Sequence, residues 1–282
     1  MPGTLFVVAT PIGNLEDISA RALGVLQRVA VIAAEDTRRT ARLLSHYGIP
    51  TPTTSLHAHN ERQKLPAILA RLTRGDDVAV VSDAGTPTIS DPGEQLIKAA
   101  IEAGIRVEAI PGPSAILTAL TASGLAAGAF TFLGFPPAKG SARREWFSAV
   151  EQAGHTVVFF EAPHRIVRTL QELQRSIGDR QIAVGRELTK AHEELVRGPI
   201  SRVLALPLRE QGEFTVVVDI GHTTEHGEVA APQDATILAD FCRMTENNPV
   251  GRRAVVGQIA NLRGMSVRDV YSAIERAKKL AE

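Results

Sequence analysis

The sequence predicts an α/β protein with largely parallel sheets, followed by a small helical domain. Eight short apolar runs have the length of buried strands, and segments with helical spacing separate most of them. Loops rich in glycine and proline follow several of these runs, at the strand ends where open α/β sheets bind ligands. The predicted strands cover residues 5–9, 29–34, 78–81, 107–110, 130–135, 157–160, 182–184 and 214–220.

Two segments between the strands illustrate the helical spacing. Apolar side chains that recur every three or four residues form one face of a helix. Such faces are predicted at Leu65, Ile68, Leu69 and Leu72, and at Ile166, Leu170, Leu173 and Ile177.

Two changes in composition along the chain predict domain boundaries. The regular strand–loop–helix units end near residues 124–129, and a basic loop and two closely spaced strands near residues 192–200 follow. Residues 221–234 are polar or small and lack periodicity, which is typical of a linker. We therefore predict α/β domains over residues 1–124 and 125–224 and a helical domain over residues 232–282, with helices at 235–243, 250–262 and 267–280.

The composition excludes several classes of protein. Hydrophobic residues at 44% and charged residues at 22% are ordinary values for a globular chain. The 31 basic and 31 acidic residues cancel, so any nucleic acid has to be bound by a local patch. The single cysteine, Cys242, excludes a disulfide framework and a cysteine-built zinc site, and the eight histidines show no metal-ligand spacing. We therefore predict no metal site.

The longest uncharged stretch covers residues 109–138. Pro111, Pro113, Gly124 and Gly128 interrupt it, and no basic flank marks a cytoplasmic side, as it would for a membrane helix. The N-terminus has no basic region ahead of its first apolar run. We therefore predict a buried helix followed by a strand, in a soluble cytoplasmic protein without membrane contact.

Three loops after predicted strands are candidates for a ligand-binding crevice. The first, residues 9–15, combines proline and glycine, so that a ligand can approach the backbone. The second, residues 82–93, is longer than a connection requires, and the carboxylates of Asp83 and Asp91 could accept hydrogen bonds from an amine or a ribose hydroxyl. The third, residues 111–115, carries a serine that could equally be only a helix N-cap. Each loop alone could be a simple connection, but three in one sheet favour a crevice.

Common nucleotide and hydrolase motifs are absent from the sequence. No GxGxxG follows the first strand and no GxxxxGK[ST] occurs, which excludes the dinucleotide fingerprint and the P-loop. Neither HExxH nor GxSxG occurs.

Charged side chains at other strand ends are candidates for acid–base chemistry. Glu161, His164 and Arg165 share one turn after a predicted strand, which brings an acid, an imidazole and a guanidinium together. Asp36 and Glu187 follow two further strands. Acids at such positions could also be N-caps or first-turn residues that interact favourably with the helix dipole, so both interpretations stay open.

Two basic clusters are candidates for contact with nucleic acid. The first lies in and after a loop rich in proline and glycine and consists of Lys139, Arg143 and Arg144. The second is residues 250–282, which hold seven Lys and Arg against three acids in a helix-turn-helix-like pattern that includes Arg252 and Arg253. A basic run of this kind is also typical of a solvated helix face.

Six motifs, taken in order, resemble the tetrapyrrole methylase superfamily, whose members transfer methyl groups from S-adenosylmethionine. They are VATPIGNLEDIS (residues 8–19), AEDTR (34–38), SDAGTPTISDPG (82–93), PGPSA (111–115), FFEAPHR (159–165) and RELTKAHEE (186–194). Within the superfamily, the sequence is similar to a bacterial group that methylates the 2′-hydroxyl of a cytidine ribose in 16S rRNA of the small ribosomal subunit. The helical segment after residue 232 also looks like the domain appended in that group.

The resemblance implies a fold with two α/β domains of the tetrapyrrole methylase type and S-adenosylmethionine in the cleft between them, usually in a homodimer. Phe160 stands where a tyrosine is common in the family, which removes one hydroxyl near the cleft. The residues that the resemblance assigns to the cofactor are Pro11, Asp83, Ala84, Gly85, Thr88, Ser114, Ala115, Glu161 and Leu188.

Methyl transfer to a ribose requires a group that takes up the proton of the attacking 2′-hydroxyl, unless positioning alone supplies most of the rate. The candidates for this role are Glu161, His164, Asp36 and Glu187, and the sequence does not choose among them. The candidates for contact with RNA are Lys139, Arg143, Arg144, Arg165, Lys190, Arg252 and Arg253.

Two other functions remain as alternatives at this point. One is a methyltransferase for a tetrapyrrole or another small molecule on the same fold, which would need neither the basic C-terminal helices nor the basic loop at residues 139–144. The other is an RNA-binding module without catalysis, which would not need an intact loop at residues 82–93. The sequence therefore favours an S-adenosylmethionine-dependent RNA 2′-O-methyltransferase.

Overall fold

The computed structural model describes residues 1–209, 211–221, 232–246, 251–263 and 265–281. The chain divides into two compact units, Met1–His222 and Thr223–Glu282. The first unit contains two five-stranded sheets with their helices, and the described part of the second unit consists of three helices. This architecture confirms the predicted α/β class, while the division into three domains stays a prediction.

The first sheet is fully parallel. Its strands are β1 (Thr4–Val8), β2 (Val31–Ala34), β3 (Thr53–Ser55), β4 (Val78–Val81) and β5 (Arg106–Ile110), and the helices of this half are α1 (Ala20–Arg28), α2 (Thr37–His46), α3 (Glu61–Thr73), α4 (Glu94–Glu102) and α5 (Ala115–Ser123). The strands lie in the order β3-β2-β4-β1-β5. The sequence does not predict β3, because this three-residue edge strand has no apolar run.

Alternate residues of the first sheet pack into two different apolar clusters. Ile32 and Val8 belong to the cluster that α1 and α2 cover, whereas Val31 and Leu5 belong to the cluster that α3 and α4 cover. A strand that is buried on both faces has no polar side, which explains why β2 and β4 appear in the sequence as continuous apolar runs.

The second sheet is mixed, which corrects the expectation of largely parallel sheets for this half. Its strands are β6 (Phe130–Phe132), β7 (Thr156–Glu161), β8 (Gln181–Arg186), β9 (Glu194–Pro199) and β10 (Phe214–Val218), and its helices are α6 (Ser141–Gln152), α7 (Ile166–Ile177) and α8 (Ile200–Leu204). In the order β6-β7-β10-β8-β9, only β6 and β7 pair in parallel. A strand that is buried on both faces is an apolar run in either direction, so the apolar runs could not predict the strand directions.

Helix α5 follows the last strand of the first sheet and packs on the second sheet, against β7, β8 and β10. Ile116, Ala119 and Leu120 of this helix join an apolar cluster with Val158 and Val217 of the second sheet. The helix therefore brings the loop that precedes it against the second sheet.

The second unit is a small helical bundle. It contains α9 (Pro232–Glu246), α10 (Arg252–Arg263) and α11 (Val267–Ala281), which enclose an apolar core that includes Ile237, Ile259 and Ile274. The Ser266 hydroxyl accepts a hydrogen bond from the Asp269 N–H at 3.1 Å, as an N-cap residue does at the start of α11. In the described part of the chain, no helix combines the length and apolar character that crossing a membrane requires.

Candidate active site

A cleft of about 380 Å³ lies where the loops of the first sheet meet β7 and β10 of the second. Its volume falls within the range of about 300–1,000 Å³ that is typical of small-molecule sites. One wall comes from residues 84–91 and 114–116, and the other from residues 160–163 and 212–215. The loops at residues 82–93 and 111–115, which the sequence singled out, therefore contribute to one crevice.

The long loop at residues 82–93 has a strained backbone. Thr88 and Ser90 have φ angles of 73° and 68°, in the left-handed region that L-residues other than glycine seldom adopt. This conformation costs about 1–2 kcal/mol per residue. Strain of this kind persists where the surrounding structure imposes it, commonly at binding sites and active sites.

Three carboxylates lie close together at the carboxyl ends of β2 and β4. The Asp83 N–H donates to a Glu35 carboxylate oxygen at 3.2 Å, and Asp91 lines the cleft. Burial raises the pKa of Asp91 to about 6, with further contributions from the negative charges of Glu35 and Asp83 and an opposing hydrogen bond from Ser82. Burial also raises the pKa of Glu35, while the hydrogen bond from Asp83 lowers it. The cleft therefore contains a carboxyl group that titrates near neutral pH.

Glu161 is buried at the end of β7, and both of its carboxylate oxygens are occupied. One accepts hydrogen bonds from the Arg165 guanidinium at 2.7 Å and from the Ala162 N–H at 2.7 Å, and the other accepts a hydrogen bond from the Thr169 hydroxyl at 2.5 Å. Its side chain has no exposed surface. This arrangement favours a role for Glu161 in holding the turn that lines the cleft, rather than one in proton transfer.

The other candidate bases also have defined environments. The Asp36 carboxylate caps α2, and its hydrogen bond from the Arg38 side chain holds its pKa well below the usual range. Burial acts to raise the pKa of Glu187, but hydrogen bonds from the Lys190 ammonium and from backbone lower it overall. His164 is exposed and does not line the cleft. A carboxylate with a lowered pKa is a weak base, so these contacts disfavour Asp36 and Glu187 as proton acceptors.

The family model that matches this chain covers residues 4–204 and describes the tetrapyrrole (corrin/porphyrin) methylases. The chain belongs to the tetrapyrrole methylase family. This confirms the resemblance carried by the six motifs, which lie within or close to the matched region.

Two relatives and one solved structure illustrate the similarity. The chain is 46% identical over 248 residues to ribosomal RNA small subunit methyltransferase I of Xylella fastidiosa, covering 86% of this chain and 88% of the relative. It is 45% identical over 274 residues to the protein of the same name from Escherichia coli O157:H7, covering 95% and 93%. The fold is similar to uroporphyrin-III C-methyltransferase from Thermus thermophilus complexed with S-adenosylhomocysteine, with a TM-score of 0.56, 18% identity and coverage of 77% and 98%.

The residues predicted to bind the cofactor lie around two cavities. Pro11 and Asp83 line a second cavity of about 130 Å³, whose walls also come from the first two loops. Leu188 packs in the apolar cluster beneath α5, and Thr88 is one of the two strained residues. The positions that line the main cleft are Ala84, Gly85, Ser114, Ala115 and Glu161.

The basic cluster of Lys139, Arg143 and Arg144, at the start of α6, consists of one buried and two exposed side chains. Lys139 and Arg144 are exposed. The Arg143 side chain is buried, and its guanidinium donates to a Glu172 carboxylate oxygen at 2.7 Å and to the Thr169 hydroxyl at 3.0 Å. These contacts favour a structural role for Arg143.

The remaining predicted RNA contacts also differ in accessibility. Arg165 is paired with Glu161, and the Lys190 ammonium donates to carboxylates of Glu187 at 2.9 Å and Glu213 at 3.0 Å. Arg253 is exposed on α10, while the side chain of Arg252 lies outside the described residues.

Sequence reasoning placed Phe160 near the cleft but missed Phe135 and residues 212–215. Phe135 and Phe160 line it, with ring centroids 5.4 Å apart, and residues 212–215 complete the wall. The signal that could have identified Phe135 is its position at the end of a predicted strand, directly before two prolines. Residues 212–215 carry no comparable signal, since they read as the start of a buried strand.

Proposed function

We propose that this chain transfers a methyl group from S-adenosylmethionine to the 2′-hydroxyl of a cytidine ribose in 16S rRNA of the small ribosomal subunit. The observation that carries the proposal is the cleft itself, which is lined by loops within the region that the family model matches and by residues 212–215. The extensive identity to ribosomal RNA small subunit methyltransferases supports ribosomal RNA as the substrate.

The residues of the cleft fit S-adenosylmethionine. Ile12, Ile116 and Phe160 provide apolar surface for an adenine ring, and the Ser114 hydroxyl provides a polar group for a ribose. Gly85 has no Cβ, so a ligand can approach its backbone. When bound, S-adenosylmethionine supplies an electrophilic methyl group on a sulfonium.

The protein has to hold the nucleotide so that the 2′-oxygen lies about 3–3.5 Å from the methyl carbon. Lys139, Arg144 and Arg253 are exposed cations that can bind RNA phosphates without first breaking an ion pair seen among the described residues. These three cations would contribute to the affinity for the ribosomal subunit, and a homodimer would present them twice.

The proposal is tested by methyl transfer from labelled S-adenosylmethionine to purified small ribosomal subunits that lack their own methylation, followed by nucleoside mass spectrometry. The expected product is 2′-O-methylcytidine, and subunits that already carry the modification serve as the control that accepts no label. Label on a base, or transfer only to a tetrapyrrole, would contradict the proposal.

Substitution Asp83→Ala tests the cofactor site separately from the RNA. Asp83 accepts a hydrogen bond from the Asp36 N–H at 2.9 Å and forms an ion pair with Arg39 at 3.4 Å, so its removal loosens the junction of two loops beside the cleft. We expect calorimetry to show about tenfold weaker binding of S-adenosylmethionine, or about 1.4 kcal/mol, in a protein that remains folded. Unchanged affinity would remove this carboxylate from the site.

A further inference from the structure

Asp91 occupies a distinctive position among the carboxylates of the first unit. It lines the main cleft, and it lies directly after Ser90, whose left-handed backbone fixes the direction of the chain there. Its side chain is half-buried, and among the described residues it forms no ion pair. The carboxylate is therefore held in the cleft without a cation that would neutralise it.

The other carboxylates around the cleft are occupied by cations or amides. Glu161 is bound by Arg165 and Thr169, and Glu213 pairs with Lys190 on the opposite wall. Asp83 pairs with Arg39 and accepts the Asp36 N–H, as described above. These contacts leave Asp91 as the carboxylate of the cleft wall that is best placed to accept a proton.

We propose that Asp91 is the general base of the methyl transfer and takes the proton from the ribose 2′-hydroxyl as it attacks. The inference rests on the proposed function and deepens it by assigning this residue. A base must be largely deprotonated at the working pH and yet as basic as possible. A carboxyl group whose pKa is about 6 satisfies both conditions better than an ordinary aspartate.

Burial is the main cause of the raised pKa of Asp91, and the charged groups around it add to this effect. Glu35 lies after β2 and Asp83 lies on the same loop, and both act to keep the proton on Asp91. Arg39 and His57 act to lower the pKa of Glu35, which helps to keep Glu35 ionised beside Asp91. On the opposite wall, Glu161 and Glu213 are neutralised by their own cations.

The step balances in atoms and charge. The proton of the 2′-hydroxyl moves to the Asp91 carboxylate, and the 2′-oxygen uses an electron pair to bond to the methyl carbon. The carbon–sulfur bond breaks, and its electron pair stays on the sulfur, which becomes the thioether of S-adenosylhomocysteine. Asp91 then releases the proton to solvent.

The test compares wild type, Asp91→Asn and Asp91→Glu, with Glu102→Gln on the exposed end of α4 as a matched charge control. Single-turnover methyl transfer to unmodified small subunits is measured with saturating S-adenosylmethionine between about pH 4.5 and 8.5. The wild-type rate should fall about tenfold per pH unit below about pH 6, because the base becomes protonated. Asp91→Asn should be about 10²–10³-fold slower with no such acid limb, Asp91→Glu intermediate, and Glu102→Gln unchanged.

Two readouts do not depend on turnover. Calorimetry should give the same affinity for S-adenosylmethionine in wild type and Asp91→Asn, within about twofold. Carbon-13 NMR of labelled aspartate carboxyls should show a resonance with a midpoint near pH 6 that is missing from Asp91→Asn.

Three results would overturn the assignment of Asp91 while leaving the proposed function intact. The first is an Asp91→Asn rate within about threefold of that of an active wild type, and the second is a wild-type rate that does not vary with pH. The third is loss of cofactor binding in Asp91→Asn. A wild type that binds the cofactor but transfers no methyl group to the subunit would instead overturn the proposed function, and this assignment with it.

Discussion

Thr10 and Gly85 exchange two backbone hydrogen bonds: the Thr10 N–H donates to the Gly85 carbonyl at 2.8 Å, and the Gly85 N–H donates to the Thr10 carbonyl at 2.9 Å. This pair joins the loop after β1 to the loop after β4, 75 residues later in the chain. Because Gly85 lines the cleft, the pair also fixes one side of the candidate cofactor site.

Gly85→Ala should destabilise the protein. Gly85 has a φ of 76°, where an alanine is strained by about 1–2 kcal/mol. We expect urea unfolding to show a free energy of unfolding lower by about 1 kcal/mol or more, with weaker binding of S-adenosylmethionine. Gly24→Ala is the matched control, because a Cβ there meets nothing within 4 Å inside α1 and should stabilise by about 0.5–1 kcal/mol. Equal changes in the free energy of unfolding for the two substitutions would contradict the conclusion that the positive φ of Gly85 requires glycine.

Glu161→Gln should cost more stability than an ordinary surface substitution. The change leaves the Arg165 guanidinium without its anionic partner in a largely buried site. Breaking a buried ion pair in this way typically costs about 3–5 kcal/mol, and we expect a value near the lower limit because Arg165 is partly exposed. Chemical denaturation measures the difference, with the exposed Glu145→Gln on α6 as the control. A loss below about 1 kcal/mol would mean that the pair contributes little.

Arg143→Ala and Arg144→Ala should have different consequences, although the two arginines are adjacent. Arg143 is buried between Glu172 and Thr169, so its loss should lower the free energy of unfolding by about 3 kcal/mol. Arg144 is exposed, so its loss should leave stability within about 0.5 kcal/mol of wild type.

The same two substitutions distinguish an effect on stability from an effect on RNA affinity. Arg144→Ala should weaken binding to the small subunit and reduce the dependence of log affinity on log salt concentration by about one unit, while cofactor affinity stays the same. A filter-binding titration over a range of salt concentrations measures this. An Arg144→Ala protein with the wild-type salt dependence would exclude this side chain from the RNA interface.

Asp91→Asn should stabilise the protein at high pH. The raised pKa means that the folded protein keeps the Asp91 proton to a higher pH than the unfolded chain does, so its contribution to stability falls as pH rises from about 4 to about 6. Asparagine removes that penalty, because it places no charge in the half-buried position and none beside Glu35 and Asp83. Urea unfolding should show a higher free energy of unfolding than wild type at pH 8 and a difference that shrinks towards pH 4. A variant that is less stable than wild type at pH 8 would show that the negative charge of Asp91 does not destabilise the folded protein.

Much of the fold could be predicted from local patterns. The strands of the first sheet are apolar runs because helices cover both faces, and Ile32 and Val31 enter different cores from adjacent positions. The same property conceals strand direction, so the mixed second sheet was not predictable from its runs. The short half-buried strand β3 carried no signal at all.

The sequence by itself determined the α/β class, the loops that surround the cleft and, through six motifs, the family. Only the tertiary structure decided which charged side chains are available for chemistry. The Arg143 guanidinium donates to Glu172, which is 29 residues later in the sequence, and the Asp36 N–H donates to Asp83, which is 47 residues later. Burial and ion pairing depend on such distant partners, and they set both the pKa of a group and its access to a ligand. Residue type and spacing therefore indicated the loops that line the cleft, while the packed structure distinguished Asp91 from the carboxylates around it.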